Sequence, residues 1–346
     1  MSRMMRTILV LLTASVLAPA ITDAQAVVKV TPLGSHAGEL CARDRALLFE
    51  DPMGARILYD PGFMVDETDP RLGDVHAILL THAHSDHIGT RRDRGGTCAA
   101  PGMGPANASS NVATIAALKN SVVMTSTETN TFLALKIQGI RGGPTAACLA
   151  AGFDSETTVP AVAPCTASIG VGGSRLIRRG GTSDSVRITA VQASHPNNIP
   201  EALFDSPGPP AGTSPYGGLA LGFVVRFTNG LTVYLTGDTG IFGDMGQVIA
   251  KFYHPNMVVM NIGPGGNGPT SIGPDDAANA IVHLVRPITV MPSHVGEQAT
   301  SGGVLRVNTW TERFVTHVRD LTNVVLPVSD VTRTFDGDGR CTSCGR

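Results

Sequence analysis

The run His82-Ala83-His84-Ser85-Asp86-His87 puts four potential metal ligands into six positions of a chain that has only 10 histidines. Imidazole nitrogens and carboxylate oxygens bind zinc and similar divalent ions. The apolar stretch Val-His-Ala-Ile-Leu-Leu over residues 75–80 leads straight into the run. On a loop leaving that strand, His82 and His84 alternate and can face one ion, while Asp86 and His87 turn toward a second. Three more ligand-type residues stand in matching places. His195 follows Val-Gln-Ala-Ser, Asp238 sits in Leu-Thr-Gly-Asp-Thr-Gly, and His294 follows Val-Met-Pro-Ser. Each falls just past an expected strand, so side chains from separate strands can converge on one sheet edge. Gly237 and Gly240 are expected to let the backbone turn tightly around Asp238. Seven such residues point to metal-assisted chemistry.

Other polar residues read less sharply. His76 lies inside the strand before the run and is expected to be structural. His254, His283 and His317 read as loop or helix-face residues. His36 could reach the site from the first strands. Glu128 and Glu297 are candidate partners of the ligands, and Asn261-Ile262-Gly263 lies at a strand end where its polar atoms could meet substrate.

The elements that must position these residues follow from apolar periodicity and turn formers. Residues 27–33, 46–50 and 56–59 read as a β-meander, and 75–80 as a buried strand. A helix is expected over 111–119 with Asn111 as its cap, a strand over 122–125 and a helix over 128–136. Residues 89–111 and 141–182, rich in Gly, Ala, Pro and Thr, read as long loops. A second strand-rich half starts near Val186, with strands over 186–191, 220–227, 231–235, 258–262 and 288–291. Asn229-Gly230 is a two-residue hairpin signal. A helix is expected from Pro274 through Leu284, with Asp275 and Asp276 favoured in its first turn by the helix dipole. Strands then helices, twice over, suggest two halves meeting at a shared site.

Composition narrows the class. Charged residues are 16% of the 346, the net charge is −2, and no long Lys/Arg block appears; the footprint of a nucleic-acid binder is missing. Residues 1–26 combine Arg3 and Arg6, an apolar run over 8–18 and Ala24-Gln25-Ala26. This is the pattern of a secretory signal peptide, with Val27 as the expected mature start and one domain over 27–346. The apolar run is too short for a bilayer span of about 20 residues, so a periplasmic or secreted protein without a stable membrane span is expected. Export permits disulfides among Cys41, Cys98, Cys148, Cys165, Cys341 and Cys344. Their pairing stays open among 15 arrangements; Cys341-Thr-Ser-Cys344, with no second such pair, suits a terminal disulfide or free thiols better than a zinc knuckle. Oligomeric state is not read from the sequence.

The order His-x-His-x-Asp-His, His, Gly-Asp, Pro-x-His resembles the metallo-β-lactamase-fold superfamily. Leu33-Gly34-Ser35-His36, Tyr59-Asp60-Pro61-Gly62, Gly273-Pro274-Asp275-Asp276-Ala277 and Pro292-Ser293-His294 are similar to the branch with ascorbate-phosphate lactonase and N-acyl-phosphatidylethanolamine phospholipase D. The resemblance implies an α/β/β/α four-layer sandwich. It implies that His82, His84 and His195 hold one divalent ion, that Asp86, His87 and His294 hold a second, and that Asp238 bridges them. Zinc is the expected metal, with Mn or Fe as alternatives. Two ions sharing a water lower its pKa toward neutrality and generate hydroxide, and Asp86 is the expected proton carrier. The implied activity is hydrolysis of an ester-like bond in a small molecule, a lactone or phosphodiester. The alternatives are a β-lactam hydrolase, in which Cys or Ser usually replaces the bridging Asp, and an iron-dependent redox enzyme, in which Glu commonly stands at the place of His84.

Overall fold

Alternation of side chains along the strands builds two stacked sheets. In a computed structural model of the protein, residues 26–142, 156–159, 166–179, 182–205, 208–263 and 270–345 are described. The first sheet begins with β1 (Val28–Pro32), β2 (Leu47–Glu50), β3 (Arg56–Tyr59) and β4 (Ala77–Leu79), and continues with β5 (Val122–Thr125), β6 (Glu156–Val159) set aside, and β7 (Thr166–Ser168). The second begins with β8 (Ser174–Arg179), β9 (Ser185–Gln192), β10 (Leu221–Arg226), β11 (Thr232–Leu235), β12 (Met257–Asn261) and β13 (Thr289–Ser293). A small pair, β14 (Thr300–Ser301) and β15 (Val304–Leu305), precedes β16 (Asn323–Val324) and β17 (Arg333–Phe335). The sheet orders are β17-β1-β2-β3-β4-β5-β7 and β16-β13-β12-β11-β10-β9-β8-β6.

Period-two patterning decides which residues meet between the sheets. Leu47, Phe49, Ile57 and Tyr59 pack against Leu221, Phe223, Val225 and Leu235 in the central layer. Leu48 and Leu58 point the other way, toward α2 (Asn111–Lys119) and α3 (Thr127–Arg141). Val224, Tyr234 and Val258 point outward on the second sheet. They face α4 (Met245–Tyr253), α5 (Pro274–Asn279), its wider-turned continuation over Ala280–Val285, and α6 (Trp310–Val318). The result is the expected four-layer α/β/β/α sandwich. The central parallel strands β4, β5, β12 and β13 are buried along their whole length, as strands covered on both faces must be.

Several local expectations change. The segment 141–182, expected as a loop, carries β6, β7 and β8. Their Thr, Ser and Arg content suits strands near a sheet edge, where polar residues discourage further pairing. Cys148 and Cys165 lie outside the described residues, as does nearly all of the leader expected over residues 1–26. The 89–111 stretch has only the isolated bridges Arg91↔Ala106 and Gly96↔Pro101. Ser110, not Asn111, caps α2: its side chain accepts from the Ala113 amide. The hairpin joining β10 and β11 has three loop residues instead of two. Phe227 N–H donates to Leu231 O at 2.8 Å and Gly230, at φ 98°, closes the turn, the bulged form of the motif. Among the described residues no helix is long and apolar enough to cross a membrane.

Candidate metal centre

Strand ends bring all seven expected residues together. β4 releases the chain into His82 and His84, and the short helix α1 (Ser85–Ile88) then carries Asp86 and His87. Gly89 ends that helix at φ 76°. The ends of β9, β11 and β13 deliver His195, Asp238 and His294. In open α/β sheets the carboxyl ends of strands are where sites form. Two bonds between the sheets register them here: Leu221 N–H donates to Thr81 O at 2.9 Å, and Gly237 N–H to the Tyr59 hydroxyl at 3.1 Å. Gly237 has φ 61°, and a Cβ there would lie 2.7 Å from Leu221 O. Gly240 needs no such allowance, since its added Cβ would meet nothing closer than 3.8 Å. Of the two expected turn glycines, only Gly237 is required.

Potential ligand atoms form three overlapping groups, each within 4.8 Å: His82, His84 and His195; His82, His87 and Asp238; and Asp86, His87 and His294. His195 Nε2 lies 3.1 Å from His84 Nδ1. Asp238 stands between the outer groups. Its Oδ2 is 3.9 Å from His195 Nε2 and 3.3 Å from His294 Nε2, and its Oδ1 is 3.4 Å from His87 Nε2. His294 is held at φ 56°, an uncommon conformation for a residue with a Cβ, so the surrounding structure imposes its direction.

Outer hydrogen bonds fix which nitrogen each imidazole presents. Asp60 Oδ2 accepts from His87 Nδ1 at 2.8 Å. The Thr81 hydroxyl donates to the same Asp60 oxygen at 2.8 Å and is 3.0 Å from His82 Nδ1. His195 Nδ1 donates to Thr270 O at 2.6 Å. With those nitrogens engaged, Nε2 of His82 and His195 turns inward with a lone pair, and His87 Nε2 turns inward as well and would offer its lone pair once a metal displaces its proton, which is how outer partners orient metal ligands. His82 Nε2 and His87 Nε2 are fully buried and make no hydrogen bond.

Electrostatics fit a cation. Burial drives the His82 pKa well below its ordinary value and, with the neighbouring His195 and His87, lowers His84 to about 4. Burial also lowers His195. These rings are neutral and can donate lone pairs. Burial works against charge on His87 too, but Asp238, Asp60 and Asp86 outweigh it and lift its pKa to about 9. The field that favours a proton there is the field a dication would meet. Burial opposes ionisation of Asp238 and Asp86, yet His294 and His87 hold Asp238 ionised, and Arg45 and His87 hold Asp86 ionised. Neutral imidazoles, ionised carboxylates and buried nitrogens aimed inward make a donor set suited to divalent metal.

The remaining candidates separate. Asn261 reaches the centre, donating from Nδ2 to Asp238 Oδ1 at 2.9 Å; it orients a candidate ligand. His36 is outside the three groups and pairs with Ser35. Glu297, outside α6, accepts from the Thr311 amide in that helix's first turn and so braces its start. Glu128 sits in the first turn of α3 beside Gly218. His76 is structural: its Nδ1 accepts from Arg56 N–H at 2.9 Å. His254 ends α4, and His317 bonds Arg313 O within α6. Three contributors carry no reading from the residues alone. Asp60 was visible only inside the Tyr59-Asp60-Pro61-Gly62 resemblance. Asn197 accepts from Ala83 N–H at 2.8 Å and so braces the loop between His82 and His84. Arg45, nearly fully buried, binds Asp86 Oδ2 at 2.6 Å.

Comparison with known proteins agrees with this geometry. The family profile described as the β-lactamase superfamily domain matches residues 55–295. A UPF0173 metal-dependent hydrolase of Cupriavidus necator is 28% identical over 270 residues, 76% of this chain and 75% of that protein. One from Rubrobacter xylanophilus is 26% identical over 277 residues, 78% and 84% of the two chains. Igni18, a metallo hydrolase from Ignicoccus hospitalis, aligns with a TM-score of 0.51 at 19% identity, over 90% of this chain and 99% of that one. At that identity the likeness is one of fold.

Proposed function

Because this chain belongs to the β-lactamase superfamily and is a metal-dependent hydrolase, we propose that it is an exported enzyme with two zinc ions that cleaves an ester-like bond, in a lactone or phosphodiester. The observation that carries the two-ion reading is Asp238 Oδ2, set 3.9 Å from His195 Nε2 and 3.3 Å from His294 Nε2. A carboxylate so placed can serve both outer groups at once. His82, His84 and His195 would hold one ion, and Asp86, His87 and His294 the other. Bound there, the pair would supply Lewis-acid polarisation of a substrate oxygen and a water of lowered pKa.

The chain's own groups do the rest. Asp60, Thr81 and Thr270 hold the imidazole tautomers, and Asn261 aims Asp238. Asp86 accepts a proton from the attacking water in this reading; its ion pair with Arg45 lowers its basicity, so its part as a ligand is the stronger one. A carboxylate at position 238 disfavours a dedicated β-lactamase, and His84 disfavours a redox iron centre, both by the resemblance noted above. The substrate in this reading is a small molecule, and the sequence carries no long Lys/Arg block of the kind that marks a nucleic-acid binder.

Export is inferred from residues 1–26, and the disulfides Cys41–Cys98 and Cys341–Cys344 support it, since such bonds persist in oxidising compartments. Intact mass of protein recovered outside a bacterial cytoplasm tests it: a mature start at Val27 is expected, and an uncleaved chain contradicts it. The activity is tested by assaying zinc-loaded protein against lactone, phosphodiester and β-lactam panels. Turnover of lactones or phosphodiesters is expected, and silence on both removes the substrate assignment.

A further inference from the structure

The segment Leu40–Arg45 brings Arg45 against Asp86 and is held by three bonds, two to Cys98 and one to Val295. Cys41 is bonded to Cys98, Ala42 N–H donates to Cys98 O at 3.0 Å, and Arg43 N–H donates to Val295 O, next to His294, at 2.8 Å. The segment ends in Arg45, whose side chain is 3% exposed. Its Nη1 donates to Asp86 Oδ2 at 2.6 Å and its Nε to Arg43 O at 3.3 Å. That one Asp86 oxygen is also 3.3 Å from His294 Nε2 and 3.9 Å from His87 Nε2. The guanidinium therefore uses the same oxygen that a cation between Asp86, His87 and His294 would use. The other group, His82, His84 and His195, shows no such paired cation among the described residues.

We propose that Arg45 is a charge-setting residue that weakens the Asp86/His87/His294 half of the centre, so that the two halves load unequally and the second ion exchanges with its surroundings. This rests on the two-ion reading above. Arginine cannot lose its proton in a protein, so its charge always opposes a dication beside it and always neutralises the one carboxylate special to that half. Arg45 is buried while Asp86 is 33% exposed, so water screens their interaction only in part. A group that only positioned Asp86 would do the reverse: losing it would loosen the carboxylate and weaken the site. The two roles predict opposite signs.

The test is zinc binding by metal-free protein, followed by chelator competition with inductively coupled plasma counting of bound zinc, so that no activity is needed. Wild type is expected to bind two zinc ions with the second at least tenfold weaker. Arg45→Met, similar in length and uncharged, is expected to bind the second at least tenfold more tightly, with the first unchanged. Arg45→Lys keeps the charge and is expected to stay within about threefold of wild type, and Arg45→Gln serves if the methionine variant does not fold. Equal affinities in wild type, or a second ion held no tighter or more weakly in the uncharged variants, overturns the proposal. A wild-type protein that binds no zinc overturns the two-ion reading itself, and a single ion in every variant removes the second half.

Discussion

At the scale of the residue, the candidate centre depends on groups one bond behind its candidate ligands. Asp60 accepts from His87 directly and from His82 through the Thr81 hydroxyl, so it sets two tautomers at once. Asp60→Asn should retain the fold, since Asn tolerates the φ of 37° found here. It should lower zinc affinity by about 10- to 100-fold, measured by chelator competition; unchanged affinity would mean that the tautomers are fixed elsewhere. Asn197→Ala leaves the Ala83 amide without its partner. A buried unpaired donor costs about 1–3 kcal/mol, so the denaturation midpoint should fall and zinc binding should weaken with it. The candidate ligands were legible because His-x-His-x-Asp-His concentrates unusual residue types in sequence. Asp60 and Asn197 were not, because their meaning comes from strands and loops that become neighbours only in the fold.

At the scale of the element, strand ends and their turns set the geometry. Gly237 allows the turn that swings Asp238 inward. Gly237→Ala places a Cβ at φ 61° and 2.7 Å from Leu221 O. A loss of about 1–3 kcal/mol is expected for such strain, read by thermal melting, and a neutral result would contradict the turn argument. His76, in the lead-in to β4, gives a pH signature. Burial lowers its pKa, partly offset by Asp74 and reinforced by Arg56, and its neutral ring accepts the Arg56 amide. Folding thus favours the neutral form. Its stabilisation is full above the unfolded value of about 6.5 and is lost as pH falls through the lowered folded value. Urea titrations between neutral and acidic pH should show a steeper acid-side loss for wild type than for His76→Asn. Most strands were legible from alternation and from turn formers. The strands β6, β7 and β8 were missed because short strands rich in Thr, Ser and Arg share the polar character of loops, and only pairing distinguishes them.

At the scale of the whole molecule, two sheets hold the seven candidate ligands at one edge, and the Cys41–Cys98 bond ties the segment bearing Arg45 to the 89–111 stretch. That bond joins residues 57 apart in sequence, whereas Cys341 and Cys344 are 3 apart. Loop-closure entropy then favours the first, at about 4 kcal/mol against about 2. Replacing both cysteines of the first pair by Ala should lower unfolding stability more than the same change in the second; the reverse order in chemical denaturation would contradict it. The sandwich was legible because strands and helices recur in two matching halves. The stacking partners were not, since which inward faces meet depends on sheet order. The central claim is that Asp238 lies between two ions, and anomalous scattering at the zinc edge from crystals of zinc-loaded protein tests it most directly. Two peaks are expected, one among His82, His84 and His195 and one among Asp86, His87 and His294, with Asp238 between them; no peak, a single peak, or peaks away from Asp238 would overturn the two-ion reading.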